Sequence, residues 1–76
     1  MKDASIIELF WNRNEIAIEE TNKKYGRLCS RVSLNILNSI PDAQECINDS
    51  YLAVWNSIPE DRPEHFSAYL CKIVRN

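Results

Sequence analysis

The chain has 76 residues, enough for one domain, and its formal net charge is −2. A body with this charge does not attract nucleic acid as a whole, so any DNA contact must be local. One glycine and three prolines argue against a turn-rich β fold. No apolar run is long enough for a signal peptide or a membrane span, so we expect a cytoplasmic protein without a membrane partner.

The residues that usually carry metal or catalytic chemistry are scattered. Cys29, Cys46 and Cys71 lack the spacing of a metal site, and His65 is the single histidine. We therefore predict no metal site, no cofactor, and free thiols in a reducing cytosol. Neither a nucleophile elbow nor paired carboxylates in an apolar setting occur, so we predict that the chain is not an enzyme.

The first two predicted helices are separated by a short polar break. Ser5 and Glu8 have capping-box spacing, and apolar residues at helical spacing predict a short helix from about Ser5 to Asn12. Asn14 can cap the helix that follows.

The second predicted helix is long, from Glu15 to about Leu37. Its apolar positions recur at steps of three and four residues, which is typical of one amphipathic helix. Gly26 does not interrupt this phase, although a kink or a break there stays open. The predicted buried stripe consists of Ile18, Thr21, Tyr25, Leu28, Val32 and Ile36.

A central helix is predicted between Pro41 and Pro59, with Asp42 as N-cap and Glu45 at capping-box spacing. Its buried arc is predicted to contain Ala43, Ile47, Tyr51, Val54 and Ile58, with Trp55 at the border. The opposite side, called the docking face here, consists of Glu45, Asn48, Asp49, Leu52 and Asn56. Acids and amides around a leucine fit a basic partner with a small apolar socket, although a merely solvated helix face has the same pattern.

The last segment, residues 65–76, is predicted to be helical with an apolar side formed by Phe66, Tyr69, Leu70, Ile73 and Val74. Its other functional candidate, called the terminal face here, consists of Tyr69, Lys72, Arg75 and Asn76. The helical pattern shows no stop signal, so we expect a fragment of a longer protein. Apolar surface left open on this helix would then support self-association.

These patterns together predict an all-α fold, a small bundle of three major helices plus a short N-terminal helix. We expect residues 1–76 to form a single domain.

Residues 42–55 resemble the most recognisable helix of bacterial sigma factors of the sigma-70 family, and the extracytoplasmic-function (ECF) group is the best match. That helix belongs to region 2 of the family. The resemblance implies docking of Glu45, Asn48, Asp49, Leu52 and Asn56 on the β′ clamp helices of RNA polymerase. It also implies that the promoter −35 binding domain lies outside these 76 residues.

Residues 66–76 are similar to the helix with which these sigma factors hold and open the −10 promoter element. The resemblance implies that Tyr69, Lys72, Arg75 and Asn76 bind DNA. The family often has a tryptophan where this chain has Tyr69, and a small residue where it has Val74. Its base-capturing loop corresponds to residues 59–64, where three acids weaken the comparison because carboxylates repel phosphate.

Two function classes follow. The first is a promoter-recognition subunit that contacts and helps open the −10 element during transcription initiation. The alternative is a helical protein-interaction module without DNA binding. An anti-sigma factor is a further candidate partner, whose existence the sequence does not reveal.

Overall fold

Four α-helices form the architecture of the computed structural model, which describes residues 1–58 and 60–76. They are α1 (Asp3–Trp11), α2 (Ile16–Leu37), α3 (Ile40–Ser57) and α4 (Phe66–Arg75). Neither described segment contains a strand. The predicted all-α bundle of three major helices and a short N-terminal one is confirmed. Pro59, the predicted end of the central helix, lies outside the described residues.

Helices α2 and α3 run antiparallel, joined at their turn end by small side chains. The Ser33 hydroxyl donates to the Ala43 carbonyl oxygen at 3.2 Å, close to that turn. Farther along the pair, the Tyr51 hydroxyl donates to Asn22 Oδ1 at 2.9 Å. These two bonds fix the register between the helices and satisfy polar groups that packing would otherwise bury unpaired.

Aromatic rings join α1 and α4 to this pair. The Phe10 ring centroid lies 6.2 Å from that of Trp55 and 6.1 Å from that of Phe66. Tyr25 meets Phe66 edge-on at 5.9 Å. Such tilted pairs add to the stabilisation from area burial. The buried apolar core consists of Ile6, Ile7, Phe10, Ala17, Cys29, Ala43, Ile47, Tyr51, Val54, Ile58, Phe66, Leu70 and Val74.

The buried stripe of α2 differs from the prediction at its C-terminal end. Ile36 is 54% exposed, so its predicted burial is wrong. Leu28 and Val32 are half-buried. The fully buried positions of α2 are Ala17, Thr21, Cys29 and Ser33. Apart from Thr21, these buried side chains are smaller than the predicted ones, and apolar periodicity does not anticipate Ser33 because it is polar.

Two helix starts also differ from the prediction. Helix α1 begins at Asp3 rather than Ser5, and α3 begins at Ile40, two residues before Asp42. Neither start has a side-chain cap hydrogen bond, so the predicted capping boxes are not formed. Pro41 fits the first turn of α3 because a first-turn residue needs no N–H donor. Asp42 instead lies in that turn, where its charge suits the helix dipole.

Helix α2 begins within one residue of its predicted start and continues past Gly26. The Ile16 N–H donates to Asn14 Oδ1 at 3.1 Å, as expected of a capping asparagine. The helix is continuous through Gly26, so a break there is wrong.

Exposed apolar surface lies elsewhere than expected. None of the large apolar side chains on α4 is exposed in the described structure, because Phe66, Leu70 and Val74 are buried and Tyr69 and Ile73 half-buried. Four of the eight exposed large apolar side chains in the described residues lie where α2 leads into α3, and this apolar corner consists of Leu34, Ile36, Leu37 and Ile40. Across the described ranges, no helix has both the length and the apolar character needed to span a bilayer.

Candidate functional site

The docking face projects from α3 on the side opposite its buried arc. All five of its side chains are exposed, and Leu52 is 56% exposed. Behind them, Ile47 and Val54 are buried in the core. The face is therefore held on a helix whose other side is fixed by packing.

Charge on the docking face is not neutralised within the described residues. Glu45 and Asp49 are separated by one helical turn and neither forms an ion pair there. Like charges at this spacing destabilise a helix by about 0.2–0.5 kcal/mol. A basic partner would relieve that repulsion, whereas water only screens it.

A groove of about 1010 Å³ runs between α2 and α3 beside this face. Asn48 and Leu52 contribute to its α3 wall, and the opposite wall contains Glu19 and Arg27 of α2 and Glu15, the residue just before α2. The groove is lined by apolar side chains, by amide side chains and by charged side chains, most of which are acidic. The sequence pattern did not indicate the α2 wall, because residues from two helices meet there only after folding.

The terminal face occupies the outer side of α4. Lys72, Arg75 and Asn76 are exposed, whereas Tyr69 is half-buried at the border of the core. Neither cation forms an ion pair in the described part of the chain. Both lie in the last turn of the helix, where the dipole also favours positive charge.

The hydroxyl of Tyr69 is already occupied. It donates to Asp61 Oδ2 at 3.0 Å, and burial together with this bond raises the pKa of Tyr69. Asp61 is therefore paired locally, while Glu60 and Glu64 are exposed. One of the three loop acids expected to repel phosphate, Asp61, therefore accepts a hydrogen bond from Tyr69 of the terminal face.

Two arginine–tryptophan pairs at the other end of α4 were not indicated by the sequence. The Arg13 guanidinium lies 3.9 Å from the Trp55 ring centroid, and Arg13 Nη1 donates to the Trp55 carbonyl oxygen at 2.6 Å. The Arg62 guanidinium lies 5.4 Å from the Trp11 ring centroid. Both pairs join positions that are distant in the sequence, so no local pattern could reveal them.

The cysteines line the interior rather than a reactive site. Cys29 is buried, Cys46 and Cys71 are half-buried, and all are free thiols. Burial raises the pKa of Cys29 to about 11, which keeps the thiol protonated at neutral pH. Within the described residues, no group of histidine, cysteine or acidic side chains is arranged to hold a metal ion.

Comparison with known proteins gave one result at the level of the family. Neither the curated proteins nor the solved structures yielded a match. Residues 23–76 match the family model of sigma-70 region 2, a span that includes α3, α4, the docking face and the terminal face. This chain therefore belongs to the sigma-70 family as a region 2 domain, with a role in promoter recognition by RNA polymerase.

Proposed function

We propose that the chain is region 2 of an ECF sigma factor that works in the cytoplasm with RNA polymerase. Its docking face binds the β′ clamp helices, and its terminal face contacts and helps open the −10 promoter element. The RNA polymerase-binding residues are Glu45, Asn48, Asp49, Leu52 and Asn56, and the DNA-binding residues are Tyr69, Lys72, Arg75 and Asn76.

The observation that carries the docking role is the composition of α3. One side is buried, and the other exposes two acids around Leu52 beside the groove, neither of which forms an ion pair within the described residues. Complementary charge speeds encounter and fixes register at protein interfaces, while a central apolar anchor contributes affinity. A clamp helix with basic residues around a small apolar pocket has the matching chemistry.

The DNA role is supported by the free donors of the terminal face. Lys72 and Arg75 are exposed cations one turn apart, and cations of this kind bind phosphate. The amide of Asn76 can pair with a base edge. Tyr69 lies at the edge of this surface, where an aromatic ring can stack on an unpaired base.

Charge reversal at Asp49 tests the docking role. Asp49→Lys should weaken binding to a purified β′ clamp fragment by roughly tenfold or more, because like charges at a charge-complementary interface cost several kcal/mol. Asp49 is exposed, so the fold should be unaffected and the far-ultraviolet circular dichroism unchanged.

Glu8→Lys is the matched control, since it makes the same change in net charge on α1, an exposed position outside the family match. Glu8→Lys should bind the clamp fragment as the wild type does. Equal affinity of Asp49→Lys and the wild type would remove the docking face from the account.

The exposed acids Glu60 and Glu64 favour the second candidate, a helical protein-interaction module without DNA binding. They lie in the loop before the terminal face and repel phosphate. Both candidates share the docking face, so binding to polymerase does not discriminate between them, whereas promoter opening does.

Two further partners belong to this proposal, an anti-sigma factor and a second copy of the chain. The apolar corner supports such contacts better than α4 does. Ile40 is 70% exposed and Ile36 54% exposed, and the stretch from residue 32 to residue 41 carries no charge that would oppose association.

A further inference from the structure

Residues 60–65 of the segment between α3 and α4 are bonded at their start but have few backbone hydrogen bonds in their middle. At its start, the Glu60 and Asp61 N–H groups donate to the Ser57 carbonyl oxygen at 3.1 and 2.8 Å. In the described structure, residues 62–64 make no backbone hydrogen bond. Two features support this middle part: Pro63 is half-buried, and the Arg62 guanidinium lies 5.4 Å from the centroid of the Trp11 ring.

Trp11 is well suited to hold a neighbouring side chain in place. Phe10, the preceding residue, is 1% exposed and packs against Trp55 and Phe66. Arg13, two residues later, is bonded to the end of α3 through Trp55. The residues on both sides of Trp11 are thus held by packing and hydrogen bonds, whereas Trp11 itself is 46% exposed and is not part of the buried core.

The geometry leaves the guanidinium able to bind a second group. A guanidinium carries five N–H donors, so contact with one aromatic ring does not use all of them. Arg62 is exposed, and no ion pair occupies it within the described residues. Arginine with free edge donors is a strong ligand for phosphate oxygens.

We propose that Trp11 is a positioning residue for promoter DNA, because its ring fixes Arg62 so that the guanidinium contacts a phosphate of single-stranded −10 DNA. This inference rests on the proposed function and extends it to α1, which lies outside the span that matches sigma-70 region 2. Arg62 would supply the one cation of a loop that also carries three acids, of which Asp61 accepts a hydrogen bond from Tyr69.

Promoter opening by the full-length protein with core polymerase, measured over a range of salt concentrations, tests the inference. Arg62→Ala should lower open-complex formation several-fold and reduce the dependence on salt by roughly one phosphate contact. Trp11→Leu should produce a similar change, and Trp11→Phe, which keeps an aromatic face, should restore much of the wild-type behaviour. The double variant of Trp11→Leu and Arg62→Ala should be no worse than Arg62→Ala alone.

Binding to the β′ clamp fragment serves as the control for the fold and should be unchanged in all these variants. Lys72→Ala provides the reference for DNA contact. If Lys72→Ala impairs opening while Trp11→Leu and Arg62→Ala do not, the positioning role is overturned and the proposed function stands. Independent, multiplying effects of the two substitutions would also overturn it. If none of the variants changes the salt dependence, the DNA role of the proposed function falls and this inference with it.

Discussion

At the scale of single residues, Gly26 has an ordinary helical backbone, but a larger side chain at this position would collide with a neighbouring side chain. A Cβ atom at this position would lie 2.8 Å from Asn22 Oδ1, the atom that accepts the hydrogen bond from Tyr51. An alanine side chain would therefore have to displace Asn22. The absent side chain preserves a hydrogen bond between α2 and α3.

Gly26→Ala should leave the free energy of unfolding nearly unchanged in the wild-type background. The gain in helix propensity, about 1 kcal/mol, is offset by loss of the Asn22–Tyr51 bond, which contributes about the same amount. In an Asn22→Ala background the same substitution should stabilise by about 1 kcal/mol, because no bond remains to be lost. Urea denaturation of the four variants measures this difference, and a full gain in the wild-type background would contradict it.

The sequence predicts which side chains of the docking face are exposed, but it does not predict which side chains contact each other across the fold. Helical periodicity alone placed Asp49 and Leu52 on the solvent side of α3, and both are exposed. The bond between Tyr69 and Asp61 and the contact between Arg62 and Trp11 arise from chain reversals between helices. A local pattern carries no information about such pairs.

At the scale of elements, the carboxylate of Asp3 joins α1 to α2 through hydrogen bonds. The oxygens of Asp3 accept hydrogen bonds from Lys24 at 2.7 Å and from the Tyr25 hydroxyl at 2.7 and 2.8 Å. Burial alone would raise the pKa of Asp3, but the bonds from Lys24 and Tyr25 outweigh it, so the pKa lies below its ordinary value. Burial and the bond to Asp3 raise the pKa of Tyr25 to about 12.

Asp3→Asn should make stability less sensitive to acid. A carboxyl with a lowered pKa in the folded state stabilises the fold above its ordinary pKa, and this contribution is lost as the pH falls through the folded-state value. The variant should be less stable at pH 7 by about 1 kcal/mol, since it keeps an acceptor for Tyr25 but loses the charge. Urea denaturation from pH 7 down to about pH 3 measures both effects. Parallel pH profiles for the variant and the wild type would count against this role of Asp3.

The number, order and type of helices could be read from apolar periodicity, but their contacts and exact starts could not. The start of α3 was misplaced because Pro41 was interpreted as a boundary, although the first turn of a helix accepts proline. The burial of Ser33, whose hydroxyl is bonded to the Ala43 carbonyl oxygen, was missed because this side chain is polar and apolar periodicity does not anticipate it.

At the scale of the whole molecule, an acidic surface and a cationic one lie on neighbouring antiparallel helices. The net charge of −2 conceals this separation. Cys46 Sγ lies 3.5 Å from the carbonyl oxygen of Val74, so the start of α3 adjoins the end of α4. The proposal assigns a basic protein partner to the first surface and DNA to the second, and the two surfaces have no residue in common.

The central claim is that the terminal face contacts promoter DNA, and the dependence of open-complex formation on salt tests it most directly. With the full-length protein and core polymerase, Lys72→Ala and Arg75→Ala should each lower opening several-fold and flatten its salt dependence, because each removes about one phosphate contact. Asn76→Ala should instead change which −10 sequences are opened, since an amide reads a base edge. Opening by the Lys72→Ala and Arg75→Ala variants that equals the wild type at every salt concentration would contradict the claim.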